Sequence, residues 1–157
     1  GTLDAAEFVG PYNDLALGFH QVAKNYYMPS FVEPGLATEL VVDKKKYQDL
    51  PDDLQAIIRD VSQAEYDQVA SDFVANDPRA LKTLVDDHGV IVRAFPDDIM
   101  EAGAKASVEV IEELRNSDDP LVKKTTESFI EALNLVRVRT ETIDSPLVAA
   151  RQKYLKY

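Results

Sequence analysis

"LDAAEFVGPYND", Leu3 to Asp14, opens with small and apolar residues, places a carboxylate at Glu7 and then meets Gly10-Pro11, a pair that stops a strand. That order predicts a strand over Leu3 to Val9, a turn, and a helix for which proline suits the first position. The helix is expected to run from Tyr12 to Tyr27, because Leu15, Phe19, Val22, Ala23 and Tyr26 recur at the spacing of one buried face, and Met28-Pro29 ends it. "LATELVV", Leu36 to Val42, reads as a second strand. A strand, a helix and a strand in this order predict an α/β fold.

Further along, "LPDDLQAII" has the chemistry of a helix start. Pro51 suits a first turn, Asp52 and Asp53 favour the positive end of the helix dipole, and Leu54, Ile57, Ile58 and Val61 mark an expected buried face. The periodicity continues through Val69 and Phe73, with Asn76-Asp77-Pro78 as a point of interruption or restart. His88-Gly89 closes that region ahead of a short strand, Val90 to Phe95. From Asp97 onward the pattern is helical, with breaks expected at Asp118-Asp119-Pro120 and at Ser145-Pro146. The chain therefore divides, without a linker, into residues 1–35 (strand, helix and loop), 36–96 (strand, helix, strand) and 97–157 (helices).

Bulk composition narrows the function classes. The 157 residues are about one ordinary domain and carry a formal net charge of −11, which repels phosphate backbones. The one basic run, Lys44 to Lys46, is not interleaved with aromatics, so no nucleic-acid partner is expected. With no cysteine the chain has neither disulfides nor thiolate metal sites. No apolar run approaches the ~20 residues that cross a bilayer.

Chemistry concentrates at Glu7 and Glu33. A glutamate at a strand end lies at the carboxyl edge of a sheet, where open α/β folds bind ligands. Glu33 sits just before the second strand, pinned by Pro34-Gly35. Two carboxylates with free carbonyls, and no Cys or clustered His, suit a hard cation such as Na⁺ or Ca²⁺ rather than zinc. The residues alone leave open a plainer reading, in which Glu7 caps a strand end in a salt bridge and Glu33 is a surface loop charge. Tyr12 either lines the site or packs at the helix start. His20 and His88, far apart and not in ligand spacing, read as structural. The paired Tyr26-Tyr27 reads as core with a hydrogen-bonded rim.

The stretch from Leu3 to Ile58 resembles the second half of the solute-binding subunits of TRAP transporters (tripartite ATP-independent periplasmic), in the branch that binds 2-oxo acids and related monocarboxylates. The resemblance lies in a strand followed by Glu-aromatic, then Val-Gly-Pro-Tyr-Asn-Asp, paired tyrosines, aromatic-X-Glu-Pro-Gly and Leu-Pro-Asp-Asp-Leu-Gln. It implies the C-terminal half of a two-lobe periplasmic binding protein of type II-like α/β fold, helix-rich with a few strands. Such a receptor closes on a small organic acid and delivers it to a membrane permease. The resemblance also implies a sodium or calcium ion bridging protein and substrate, with Glu7, the Phe8 carbonyl and Glu33 as metal ligands and with Phe8, Tyr12 and Glu33 lining the substrate. Where the family commonly has tryptophan this chain has Phe8, which keeps the carbonyl and loses the indole N–H.

Two expectations follow from the resemblance. The chain reads as a fragment, since it begins "GTLDAAEF" without a targeting peptide and lacks the half that would carry the substrate-clamping arginine and a further amide ligand. "PLVAARQKYLKY", Pro146 to Tyr157, is too short to stand alone as a helix and is expected to pack across a subunit boundary in a homodimer. An enzyme using Glu7 or Glu33 as base and Tyr12 as acid is the alternative, although no nucleophile motif, Gly-rich phosphate loop or His–carboxylate pairing supports it; a helical interaction module is another.

Overall fold

The computed structural model describes residues 2–30, 33 and 39–156. It divides into two compact units, Gly1–Pro96 and Asp97–Tyr157.

In the first unit Gly10 and Pro11 do open a helix, α1 (Pro11–Leu17), but it is short. Gly18 takes the left-handed conformation at φ 74°, and its N–H returns to the Asp14 and Leu15 carbonyls. A Cβ at Gly18 would lie 2.8 Å from Gln21 Nε2, so a larger residue would also displace that side chain. The chain goes on through a single 3₁₀ turn, Phe19–Gln21, into strand β1 (Asn25–Tyr27). The expected helix to Tyr27 is thus corrected. The apolar spacing runs through a glycine that ends the helix, and Val22, counted toward the buried face, is exposed.

Two more strand expectations are corrected. Leu3 to Val9 is irregular, with bends at Asp4 and Val9, and takes part in no strand pairing among the described residues; Leu3 and Val9 are exposed. Leu36 to Thr38 lie outside the described residues, while Glu39–Val42 carry no strand pairing. Extended backbone becomes a strand only where a neighbour takes its hydrogen bonds, and among the described residues neither segment has one.

After the five-residue helix α2 (Lys44–Gln48), the Tyr47 hydroxyl donates to the Gln55 carbonyl, and Gln55 Nε2 donates to the Leu50 carbonyl. This corner leads into α3 (Asp52–Asp86), with Asp52 and Asp53 in its first turn as expected. At 35 residues α3 is roughly 50 Å long. It passes straight through Pro78. Proline removes the hydrogen bond to the Val74 carbonyl, but Asp77 beside it is committed elsewhere: its Oδ1 accepts the Tyr12 N–H at 3.0 Å and so caps α1 from a neighbouring helix. Leu54, Ile57 and Val61 are exposed, which corrects the buried face assigned to them. The buried apolar residues of α3 are Ala80 and Leu84.

His88-Gly89 ends α3 as the sequence indicates. Gly89 is left-handed at φ 66°, and the N–H groups of Gly89 and Val90 return to the carbonyls of Val85 and Leu84. The strand that follows, β2 (Ile91–Arg93), pairs in parallel with β1 in the register Asn25↔Ile91, Tyr26↔Val92, Tyr27↔Arg93. The Ile91 N–H to the Lys24 carbonyl and the Met28 N–H to the Arg93 carbonyl extend the ladder at both ends. A parallel pair requires a long crossover, here made by α3.

The second unit is helical throughout. Helix α4 (Asp97–Arg115) has two aspartates in its first turn, and α5 (Pro120–Arg139) begins where Asp119 Oδ1 accepts the Leu121 N–H at 2.8 Å. The predicted break before Pro120 is real. Arg115 Nε, at the end of α4, reaches Glu127 Oε1 on α5 at 3.0 Å across the hairpin. The break predicted at Ser145-Pro146 is not: α5 continues through a π-helical turn, Thr140–Asp144, into α6 (Ser145–Tyr154). Pro146 has no N–H, and the wider turn immediately before it re-registers the hydrogen bonds so that the helix need not stop.

Candidate functional site

Glu7 and Phe8 lie on the irregular segment that leads to Gly10, and Tyr12 is the second residue of α1. Glu7 is exposed, and among the described residues its carboxylate has neither an ion-pair nor a hydrogen-bond partner. The salt bridge of the plainer reading is therefore not formed among them. The Phe8 ring packs edge-on against Phe19 of the 3₁₀ turn, with centroids 5.3 Å apart, yet remains about half exposed. Tyr12 packs edge-on against Phe73 of α3 at 6.2 Å and is likewise about half exposed. Tyr12 thus does both things the sequence allowed: it packs, and it presents its ring outward. Glu33 is exposed and its N–H donates to Ser30 Oγ at 3.3 Å. The rest of "FVEPG", Phe31, Val32, Pro34 and Gly35, lies outside the described residues.

The donor set fits a hard cation. Glu7 and Glu33 offer carboxylate oxygens uncommitted among the described residues, and the peptide carbonyl of Phe8 is a neutral oxygen beside the first of them. Three such ligands are fewer than the ~6–8 oxygens that calcium takes, so the remainder would come from ligand, water and other parts of the protein. Among the described residues no three His, Cys, Asp or Glu side chains gather at one point.

Between α1 and β1 lies a polar cluster of which the sequence indicates Tyr26, through its expected hydrogen-bonded rim, but not Asp14. Asp14 of α1, 6% exposed, accepts the Tyr26 hydroxyl of β1 at 2.5 Å. Burial first, and then the nearby charge of Asp77, pushes the Asp14 carboxyl above its usual range, while the Tyr26 hydroxyl and the Gly10 backbone pull it the other way. Burial, together with the bond to Asp14, pushes the Tyr26 phenol up. Asn13 Oδ1, Asp14 Oδ1 and His20 Nδ1 are buried without a hydrogen-bond partner among the described residues. For Asp14 the sequence signal is "PYND" itself, where two polar residues follow in the first turn after the helix-starting proline.

The family model for bacterial extracellular solute-binding proteins, family 7, matches residues 1–118. The chain belongs to that family. A monocarboxylate 2-oxoacid-binding periplasmic protein of Nostoc sp. (strain PCC 7120) is 31% identical over 118 residues, which are 75% of this chain and 32% of that protein. The fold is that of a TRAP transporter solute-binding protein from Bordetella bronchiseptica RB50, described as a mixed-occupancy dimer with copurified calcium and picolinate in one active site and the other apo. It superposes with a TM-score of 0.77 at 30% identity, covering 98% of this chain and 46% of that one. The chain thus spans less than half the length of the relatives it matches. Family membership bears out the resemblance and the α/β, helix-rich fold class of a periplasmic binding protein. Its relatives are solute-binding proteins, not enzymes, and the acid–base alternative at Glu7 or Glu33 falls away.

Proposed function

We propose that this chain is part of an extracytoplasmic receptor of a TRAP transporter. The receptor captures a 2-oxo or 2-hydroxy monocarboxylate through a bridging sodium or calcium ion and delivers it to the membrane permease. Glu7, the Phe8 carbonyl and Glu33 hold the ion, and Phe8, Tyr12 and Glu33 line the acid. A periplasmic location is proposed from the relatives, and no described helix is long and apolar enough to cross a membrane.

The observation that carries this reading is the pair of exposed, uncommitted carboxylates on a chain whose fold is shared by a receptor containing calcium and picolinate. Picolinate offers a ring nitrogen next to a carboxylate and a 2-oxo acid offers a carbonyl oxygen in the same place. Both can close a five-membered chelate on one cation. Two glutamates and an anionic ligand would repel one another without a positive charge between them. Tyr12, fixed by Phe73 behind it and by Asp77 at its N–H, gives the acid a wall of constant position. Phe8 is held in the same way by Phe19.

Titration calorimetry on the full-length receptor tests this, using pyruvate and picolinate after chelator treatment, with and without added Ca²⁺ or Na⁺. Binding that requires the cation is expected. Binding of equal strength in chelator, or no binding of either acid with the cation present, would refute the metal-bridged reading.

A further inference from the structure

His20 and His88, 68 positions apart, form a stacked pair with ring centroids 3.9 Å apart and an interplanar angle of 25°. His20 lies on the 3₁₀ turn and His88 at the turn between α3 and β2. Near-parallel rings at this distance cannot both aim an in-plane lone pair at one ion, so the pair is not a metal chelate. Lys24 donates from Nζ to the His88 carbonyl at 2.9 Å and brings a third nitrogen group to the same place. Next to His20 in the chain is Phe19, whose ring holds Phe8.

We propose that the His20–His88 stack is an acid-sensitive latch: while neutral it holds the 3₁₀ turn and, through Phe19, the Phe8 side of the ligand site; when protonated it releases them. Two imidazolium rings at 3.9 Å beside an ammonium would repel one another. Of the groups beside His20, His88 and Lys24 are both cationic when protonated. Most of the other charged groups on the surrounding elements are committed elsewhere: Asp86 near the end of α3 is paired with Lys82, Arg93 of β2 is bound to Asn25, and Asp14 of α1 is bound to Tyr26. Asp87, whose backbone N–H closes the end of α3 on the Thr83 carbonyl, is the acidic neighbour of His88 in the chain. Burial, then His88 and Lys24, holds the His20 imidazole below its usual 6.5. A lowered folded value means that the stabilising contribution is present above pH 6.5 and is lost as pH falls through the folded value. Only the turn, not the whole unit, depends on the stack directly. Its effect on ligand rests on the function proposed above.

The test has two readouts on the full-length receptor. Imidazole titration and amide exchange at Gln21, Val22 and Ala23, whose N–H groups close the turn, report the latch without ligand. His20 is expected to titrate below the free imidazole, with protection of those three amides falling in the same window. The His20→Phe variant, which keeps a ring and loses the proton, should stay protected at acid pH, as should His88→Phe if the first variant folds poorly. A normal His20 titration, or protection in wild type that does not follow it, overturns the latch. Calcium-dependent affinity for pyruvate should then fall about tenfold across that window in wild type and not in His20→Phe. A pH-independent affinity with an opening turn overturns the coupling to the site. Absence of pyruvate binding at every pH refutes the proposed function instead, while exchange still judges the latch.

Discussion

The Tyr26 hydroxyl donates to Asp14 Oδ2 across 2.5 Å, joining the first helix to the first strand through a buried aspartate. Two elements that local periodicity would merge into one helix are here separate and tied by their side chains. The bond has directly measurable consequences.

Removing it with Tyr26→Phe leaves both carboxyl oxygens of Asp14 short of a donor. Urea unfolding is expected to show a loss of about 1–3 kcal/mol. The Asp14 carboxyl should also move further up, since the hydroxyl is among the groups that hold it down, and carboxyl NMR titration would read this. An Asp14 resonance that does not move would show that the bond is not felt at the carboxylate.

Asp14 is raised above 3.8 in the fold, so its contribution to stability is complete below that pH and is lost as pH rises through the folded value. Asp14→Asn should remove this component. The stability of wild type relative to Asp14→Asn is expected to fall between acid and neutral pH, which paired urea melts across that range would measure; a constant difference would contradict the assignment.

Asp77 caps α1 from α3, and Asp77→Ala should cost about 0.5–2 kcal/mol, as for the loss of any N-cap. Exchange at the Tyr12 amide distinguishes this from a general loss, because that amide alone loses its acceptor. Unchanged Tyr12 protection would place the cap elsewhere.

At the proposed ligand site, Glu7→Gln and Glu33→Gln should each weaken calcium-dependent pyruvate binding about tenfold or more, an order-of-magnitude expectation from removing a charged oxygen ligand. Phe8→Trp should retain cation dependence, because the carbonyl is unchanged. Calorimetry in which either glutamine variant binds as tightly as wild type removes that residue from the donor set.

The terminal helix offers a test of assembly. Leu147 and Val148 are exposed on α6 and Leu155 just beyond its end, and a homodimer through this terminal segment is proposed, the structural relative being a dimer. Leu147→Asp combined with Val148→Asp should convert a dimer into a monomer by light scattering. A wild-type protein already monomeric at all concentrations dismisses the proposal.

What the sequence disclosed follows from the range of the interactions involved. Asp119-Pro120 and His88-Gly89 were legible because a cap and a left-handed turn are made by neighbours in the chain. Gly18 carries the same kind of signal, but the apolar spacing across it was the stronger reading and was wrong. Leu3 to Val9 looks like a strand residue by residue and has no pairing neighbour among those described, which no local pattern reports. The His20–His88 stack and the Asp77 cap each bridge more than 60 positions and become visible only in three dimensions. At the proposed site, Glu7, Phe8 and Tyr12 could be singled out because they sit in one contiguous motif; the hydrogen-bonded rim of Tyr26 was also legible, but its partner Asp14 was not, because a buried carboxyl and its phenol share no sequence spacing.

The π turn at Thr140–Asp144 holds one residue more than an α-helix would use over the same advance. It therefore absorbs that residue. Deleting one residue there would let α5 and α6 close into a single regular helix with the residues beyond it facing nearly the same way, whereas tightening the turn to α with every residue kept would rotate everything beyond by about 100°, the rotation of one α-helical residue. Leu147 and Val148 would then face a different direction with their composition unaltered. The direction in which the last helix presents its apolar side is thus held by the hydrogen-bond pattern of the turn, separately from the residues that form that side.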